Sequence, residues 1–261
     1  MEFSFEYYQL TIKVMLILAV VVFAALQYFK AGYGFLSNNN WGITIPNKIG
    51  WILMEVPVII GILALFTLSN NEKNITIILI TAIFLLHYCQ RTFVFPFLIR
   101  GKSRMPIAIV LMGAAFNLVN AYLIGSWLYF ISFSNGVQQI YTTNWLYSPQ
   151  FIIGTIIFLF GFFINLQSDS IIRNLRKPGD TKHYIPKGGF FKYVSSANYF
   201  GEVLEWFGFA ILTWSMPGVV FCLWTFANLG PRANSLNKKY AAEFGEEFTK
   251  LKRKRILPFI Y

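Results

Sequence analysis

Glu55 stands inside the apolar run "GWILMEVPVII", with Pro57 close behind it. An ionisable group in such a run is costly to hold and is by default a sign of function. The neutral acid is far cheaper to bury than the carboxylate, so Glu55 is expected to be largely protonated. The plainer alternative is a structural hydrogen bond across two helices. A second apolar run reads "LLHYCQRTFVFP", where His87, Tyr88, Gln90 and Arg91 put too many polar heads on a helix for lipid alone to accept. Tyrosine by itself is a common interfacial anchor. Beside a buried acid, Tyr88 is a credible proton donor.

A second polar set follows in "FFINLQSDSIIRNLRKPGD". Asn165, Asp169, Arg173 and Arg176 fall three and four residues apart, which puts them on one helix face for about three turns. A solvated helix end would account for much of this. Asn165, however, lies within the apolar run, and the next apolar segment repeats the pattern with Asn198, Glu202 and Glu205. Two polar faces at one depth suggest a shared cavity, and Arg176 and Lys177 at its mouth could hold phosphates. The chain has no GxGxxG after a strand, no P-loop, no HExxH, no CxxC and no GxSxG. "GYG" at Gly32–Gly34 and "PKGG" at Pro186–Gly189 read as turns.

The elements that must carry these groups are membrane spans. Of the 261 residues, 56% are hydrophobic and only 13% charged, about half the charge of a soluble domain. Mean hydropathy is +0.54. Apolar runs near the length that crosses a hydrocarbon core recur throughout, at Leu10–Phe29, Lys48–Leu68, Ile75–Leu98, Met105–Ile131 and Phe151–Leu166. A block from about Ser195 to Gly230 is either one helix kinked at Pro217 or two turning at "WSMPG". The acids in "MEFSFEYYQL" argue against a cleaved leader, so the first run is expected to be a retained span. Cys89 and Cys222 lie in apolar surroundings, which argues against a disulfide framework.

Charge decides the topology. Basic residues follow the third span (Arg100, Lys102, Arg104), follow the fifth (Arg173 to Lys192) and close the chain in "KLKRKR". The loop "FSNGVQQIYTTNWLYSPQ" has no Lys or Arg. Basic loops face the cytoplasm, so the last block must hold two spans. The expectation is an all-α bundle of seven spans, N-terminus outside and C-terminus cytoplasmic, with Lys13 and Lys73 as exceptions. The net charge of +11 is then read as cytoplasmic loops facing anionic lipid, not as a nucleic-acid surface.

Taken together, these segments resemble the steroid 5α-reductases. The stretches that carry the likeness are "GWILMEVP", "HYCQRTFVFPFLIRG" and the run from "INLQSDSIIRNLRKPGD" through "IPKGGFFKYVSSANYFGEVLEWFGFAILTWS". With the closing "LPFIY", the resemblance covers the chain from about Trp51 onward, and is weaker before it apart from "GYG". It implies a single seven-span reductase domain over residues 1–261. NADPH would bind within the bundle near its cytoplasmic side, under a capping loop at about 167–194. The reaction implied is reduction of the Δ4 double bond of a 3-oxo steroid. Carried onto this sequence, Glu55 and Tyr88 hold the substrate carbonyl, while Tyr33, Asn165, Asp169, Arg176, Asn198, Glu202, Arg232 and Tyr240 surround the cofactor. Steroid or sterol-like lipid and the bilayer are the implied partners, with no metal, nucleic acid or obligate protein partner. Met112 stands where vertebrate members have an arginine near the substrate. Ile99 replaces an amide, Leu236 a histidine, and His183–Tyr184 a Tyr–Arg pair. These departures bear on substrate preference and cofactor affinity, not on the reaction class.

Competing readings are a reductase of another lipid enone, enoyl thioester or polyprenol, and an isoprenylcysteine-type membrane methyltransferase. The Glu55–Tyr88 pair argues against the methyltransferase, since methyl transfer needs no carbonyl clamp. A transporter would favour internal repeats, and the sequence has none. The membrane expected is the inner membrane of a bacterium or the endoplasmic reticulum of a eukaryote.

Overall fold

The computed structural model describes residues 4–29, 32, 34–36, 41–100, 103–134, 140–176, 180 and 182–261. Its long helices are α1 (Phe5–Tyr28), α2 (Asn47–Leu68), α3 (Ile75–Leu98), α4 (Ile107–Ile131), α5 (Pro149–Asn174), α6 (Ala197–Thr213) and α7 (Met216–Phe244). The first five are long and apolar enough to cross a membrane. α6, with 17 residues, spans about 25 Å at 1.5 Å per residue, short of a hydrocarbon core of about 30 Å. The one sheet among the described residues is a two-stranded ribbon, β1 (Thr44–Pro46) antiparallel to β2 (Arg104–Pro106), which ties the starts of α2 and α4 together.

Local chemistry sets the helix ends. Asn74 caps α3 by accepting from Ile77 N at 3.1 Å, and Ser148 caps α5 by accepting from Phe151 N at 3.1 Å, with Pro149 in the first turn. α3 is α-helical to Cys89, widens into a π turn over Gln90–Val94, and closes with Phe95–Leu98. Pro96 explains the widening. It has no N–H to give the carbonyl four residues back, and its ring would crowd that carbonyl. The block Ser195–Gly230 is two helices. Trp214, in the left-handed region at φ 46°, ends α6, and Ser215 caps α7 by accepting from Gly218 N.

The tightest packing is α5 against α6. A Cβ on Gly161 would fall 2.4 Å from Glu205 N, and one on Gly201 would fall 2.5 Å from Asn165 N. Gly154 and Gly208 make the same backbone approach two turns further along. Small residues at spacings of seven let two apolar helices meet backbone to backbone. That contact brings Asn165 and Asp169 of α5 against the first turns of α6. The buried core draws Val58 and Ile62 from α2, Phe84 from α3, Ile124 from α4, Phe158 from α5, Trp206 from α6 and Phe221 from α7.

Candidate active site

Glu55 projects from α2, Tyr88 from α3, and Asn117 with Asn120 from α4; all four are buried. The Tyr88 hydroxyl donates to Asn117 Oδ1 at 3.3 Å and accepts from Asn120 Nδ2 at 3.0 Å. The Asn117 amide nitrogen donates to the Met54 carbonyl at 2.8 Å and to Glu55 Oε2 at 3.0 Å. Three helices therefore meet at one amide. The pair singled out in the sequence is joined through Asn117, which sequence reasoning missed. The signal was present, since "FNLVNAY" sets two asparagines three apart in an otherwise apolar span.

Next to this cluster α3 and α6 meet in a buried histidine–carboxyl contact. His87 Nδ1 is 2.7 Å from Glu205 Oε1, and the imidazole packs edge-on to Trp206 with centroids 4.6 Å apart. Glu205 is fully buried, and its Oε2 has no hydrogen-bond partner among the described residues. One turn nearer the basic end of the bundle, Arg91 reaches Asp169 Oδ2 at 3.2 Å. Its guanidinium carbon lies 4.5 Å from the Trp51 ring centre and 4.1 Å from that of Phe95, in the corner the two rings make by meeting edge to face at 5.1 Å. Asp169 Oδ1 accepts from Asn198 Nδ2 at 3.2 Å, and Asn165 Nδ2 donates to the Asn198 carbonyl at 3.0 Å. The expected facing of the α5 and α6 polar stripes is thus a set of direct bonds. Glu202, half-buried beside Glu205, lies within electrostatic range of Arg91 and His87.

Toward the basic end the groups become cationic and more open. Arg176 is exposed at the end of α5. Arg232 is buried on α7, its Nε donating to the Tyr199 hydroxyl at 2.6 Å. Tyr240 stacks on Phe248 at 5.3 Å and meets Phe35 at 5.1 Å. Tyr33 and Lys177 lie outside the described residues. The first part of the expected capping loop, 167–174, is the helical end of α5, because the chain keeps its helix past the apolar run.

Several buried polar atoms in this region have no partner among the described residues, including Arg173 Nη1, Ser168 Oγ and Asn234 Oδ1. Buried polar atoms are seldom left so unless something else satisfies them. A donor set of carboxylates and amides beside several guanidinium groups fits a dinucleotide, whose amide and hydroxyls need the former and whose phosphates need the latter.

Comparison with known proteins places the chain in a family. Residues 103–261 match the family described as 3-oxo-5-alpha-steroid 4-dehydrogenase. The chain is 36% identical over 242 residues to steroid 5-alpha-reductase DET2 of Arabidopsis thaliana, covering 90% of each chain. It is 37% identical over 247 residues to 3-oxo-5-alpha-steroid 4-dehydrogenase 1 of Bos taurus, covering 93% of each. Against the Homo sapiens protein of that name the identity is 36% over 244 residues, 92% of this chain and 90% of the other. With that much of its length aligned to several such oxidoreductases, the chain belongs to the steroid 5α-reductase family.

Proposed function

We propose that this protein is an NADPH-dependent reductase of 3-oxo-Δ4 steroids, giving the 5α-3-oxo product. We read it as one seven-span membrane domain, N-terminus outside and C-terminus in the cytoplasm. The relatives' names supply the reaction class. The observation that carries the reading at the level of chemistry is the buried Asn117 amide, which holds the Tyr88 hydroxyl and the Glu55 carboxyl at one place.

The double bond of an enone accepts hydride at its β-carbon only if charge developing on the carbonyl oxygen is stabilised. Tyr88, turning its one hydroxyl hydrogen from Asn117 Oδ1 to the substrate, and neutral Glu55 act as donors to that oxygen in a buried site, where such donors are worth most. Asn117 and Asn120 hold the phenol in place, and Asn117 occupies one oxygen of Glu55, leaving the other to carry the acid proton. When bound, NADPH supplies the hydride that ends on C5. The proton delivered at the oxygen gives the enol, which takes a proton from solvent at C4 as its O–H proton returns to the Glu55–Tyr88 pair, leaving the 3-oxo group restored. Asn165, Asp169, Asn198, Glu202, Tyr240, Arg176 and Arg232, with Tyr33, would hold the cofactor, the carboxylates and amides toward hydroxyl and amide groups and the arginines toward phosphate. The site's apolar walls suit a steroid that partitions into the bilayer.

The test is loss of NADPH absorbance at 340 nm by the purified protein in nanodiscs with a Δ4-3-oxo steroid, with product analysis for the 5α-hydrogen. The expected result is steroid-dependent oxidation yielding the 5α product. Oxidation absent with all such steroids but present with a non-steroidal lipid enone would overturn the substrate assignment.

A further inference from the structure

The end of the chain forms a hook away from the catalytic cluster. Val194 pairs with Lys254 in a parallel bridge; Lys254 N donates to the Tyr193 carbonyl at 2.9 Å and Ser195 N to the Lys254 carbonyl at 2.8 Å. Ile256 is fully buried among Leu229 and Ala233 of α7, which fixes the hook to the bundle. Beyond it the chain turns outward. Phe259 and Ile260 are 78% and 77% exposed.

Two features say what covers them. The first is an unbroken line of aromatic contacts: Phe259 to Tyr193 at 5.4 Å, Tyr193 to Phe190 at 6.1 Å, and Phe190 to Phe160 at 5.9 Å. Phe160 sits on the outer apolar face of α5 with exposed Ile156 and Phe163, a face long and apolar enough to meet lipid. The strip therefore runs from the hydrocarbon-facing side of a span to the tip of the hook. The second is charge. Lys192, Lys252 and Lys254 are exposed around the strip, and neither residues 185–201 nor 250–261 contain an Asp or Glu. Aromatic and aliphatic side chains ringed by lysines match a membrane interface, where rings sit at headgroup depth and ammonium groups meet anionic lipid.

We propose that this hook is seated in the bilayer interface, with Phe259 and Ile260 inserted below the headgroups and Lys192, Lys252 and Lys254 bound to anionic phospholipid. The same hook receives Ser195 N and Ser196 N on the carbonyls of Lys254 and Arg255. Anionic lipid would thereby steady the start of α6, two residues before Asn198.

A nitroxide at Ile260→Cys, in a protein with Cys89 and Cys222 changed to alanine, reads the depth directly. The control label is placed at Glu246→Cys, where the native side chain is 82% exposed. In nanodiscs rich in phosphatidylglycerol, the label at 260 should collide several-fold less with a water-soluble nickel chelate than the one at 246, and more with oxygen. Phosphatidylcholine discs, or the pair Lys192→Glu with Lys254→Glu, should reverse part of that protection. Equal nickel access at 260 and 246 would overturn the proposal. So would deep burial at 260 that ignores both lipid charge and lysine reversal, since the headgroups would then play no part. Each labelled protein is first matched to the parent in melting temperature, so that misfolding is not read as exposure.

Discussion

The Tyr88 hydroxyl donates to Asn117 Oδ1, and the orientation of that amide is fixed by its other neighbour. The Met54 carbonyl can only accept, so the nitrogen of Asn117 must face α2 and its oxygen must face Tyr88. Glu55 Oε2 then receives the second amide hydrogen. The result is a pair of donors whose geometry depends on one uncharged side chain. Asn117→Ala should lower kcat about 10- to 100-fold, on the order of 1.4–2.8 kcal/mol from the loss of buried hydrogen bonds. NADPH affinity should stay near wild type, as Asn117 lies among α2, α3 and α4. A variant with unchanged kcat would show that Tyr88 and Glu55 position themselves without it.

Tyr88→Phe keeps the ring among Phe84 and Trp206, so packing should hold while one donor is lost. Its kcat is expected to fall about 10²–10³-fold. Glu55→Gln retains an N–H donor and should cost less than Glu55→Leu. Because both groups serve one oxygen, the double variant should be little worse than the poorer single one. Single-turnover rates and melting temperatures on the same proteins decide this. A fully active Tyr88→Phe enzyme would end the clamp mechanism, and losses that simply track melting temperature would make the pair structural.

The α5–α6 contact gives a stability prediction with an internal control. Gly161→Ala forces a methyl to within 2.4 Å of the Glu205 backbone nitrogen, an overpacking that costs about 1–3 kcal/mol where it must move backbone. Gly230→Ala, on α7, meets the Phe226 ring at 3.5–3.7 Å and also sets a Cβ beside the ring of Pro231, which disfavours a helical residue before it. That strain is local to one residue and is offset in part by the reduced freedom of the unfolded chain, about 0.4–1 kcal/mol, so the change should cost less than Gly161→Ala. Thermal unfolding in detergent should therefore separate two chemically identical changes. Similar melting temperatures for both would mean that α5 and α6 do not meet backbone to backbone.

Much of this fold was legible because a bilayer demands helices of a narrow length range, so the apolar runs for α1 to α4 gave boundaries within a few residues or, at the start of α1, about one turn. α5 ran longer than expected, since nothing in the mostly polar stretch Gln167–Asn174, which holds neither Gly nor Pro, stops a helix once the apolar run ends. The division of the last block followed from loop charge, and the left-handed Trp214 is where the chain makes it. The polar stripes on α5 and α6 were readable as helical spacing. What was not readable is which polar groups pair. Asn117 looks like one more tolerated amide until α2 and α3 bring Glu55 and Tyr88 to it. The glycines at 154, 161, 201 and 208 acquire their meaning only from the helix opposite, which no single segment reveals.

The cofactor side separates into residues that hold the bundle and residues free to meet a ligand. Asp169 has both oxygens engaged, by Arg91 and by Asn198, in a buried ion pair. Asp169→Asn removes the carboxylate bonded to Arg91 and leaves Glu202 as its main remaining acidic neighbour, a change that costs up to about 3–5 kcal/mol in such sites. It should lower both melting temperature and turnover, and saturating NADPH should restore only part of the activity. Arg176 is exposed at the end of α5, so Arg176→Ala should leave the melting temperature unchanged. If Arg176 contacts a phosphate, the lost charge-assisted bond of about 1.5–3 kcal/mol raises the NADPH dissociation constant roughly ten- to over a hundredfold. Steroid affinity should hardly move. Measuring NADPH binding and unfolding for the two variants side by side distinguishes the roles. An Arg176→Ala enzyme with wild-type NADPH affinity would remove Arg176 from the cofactor site and leave its phosphates to more deeply placed cations such as Arg173 and Arg232.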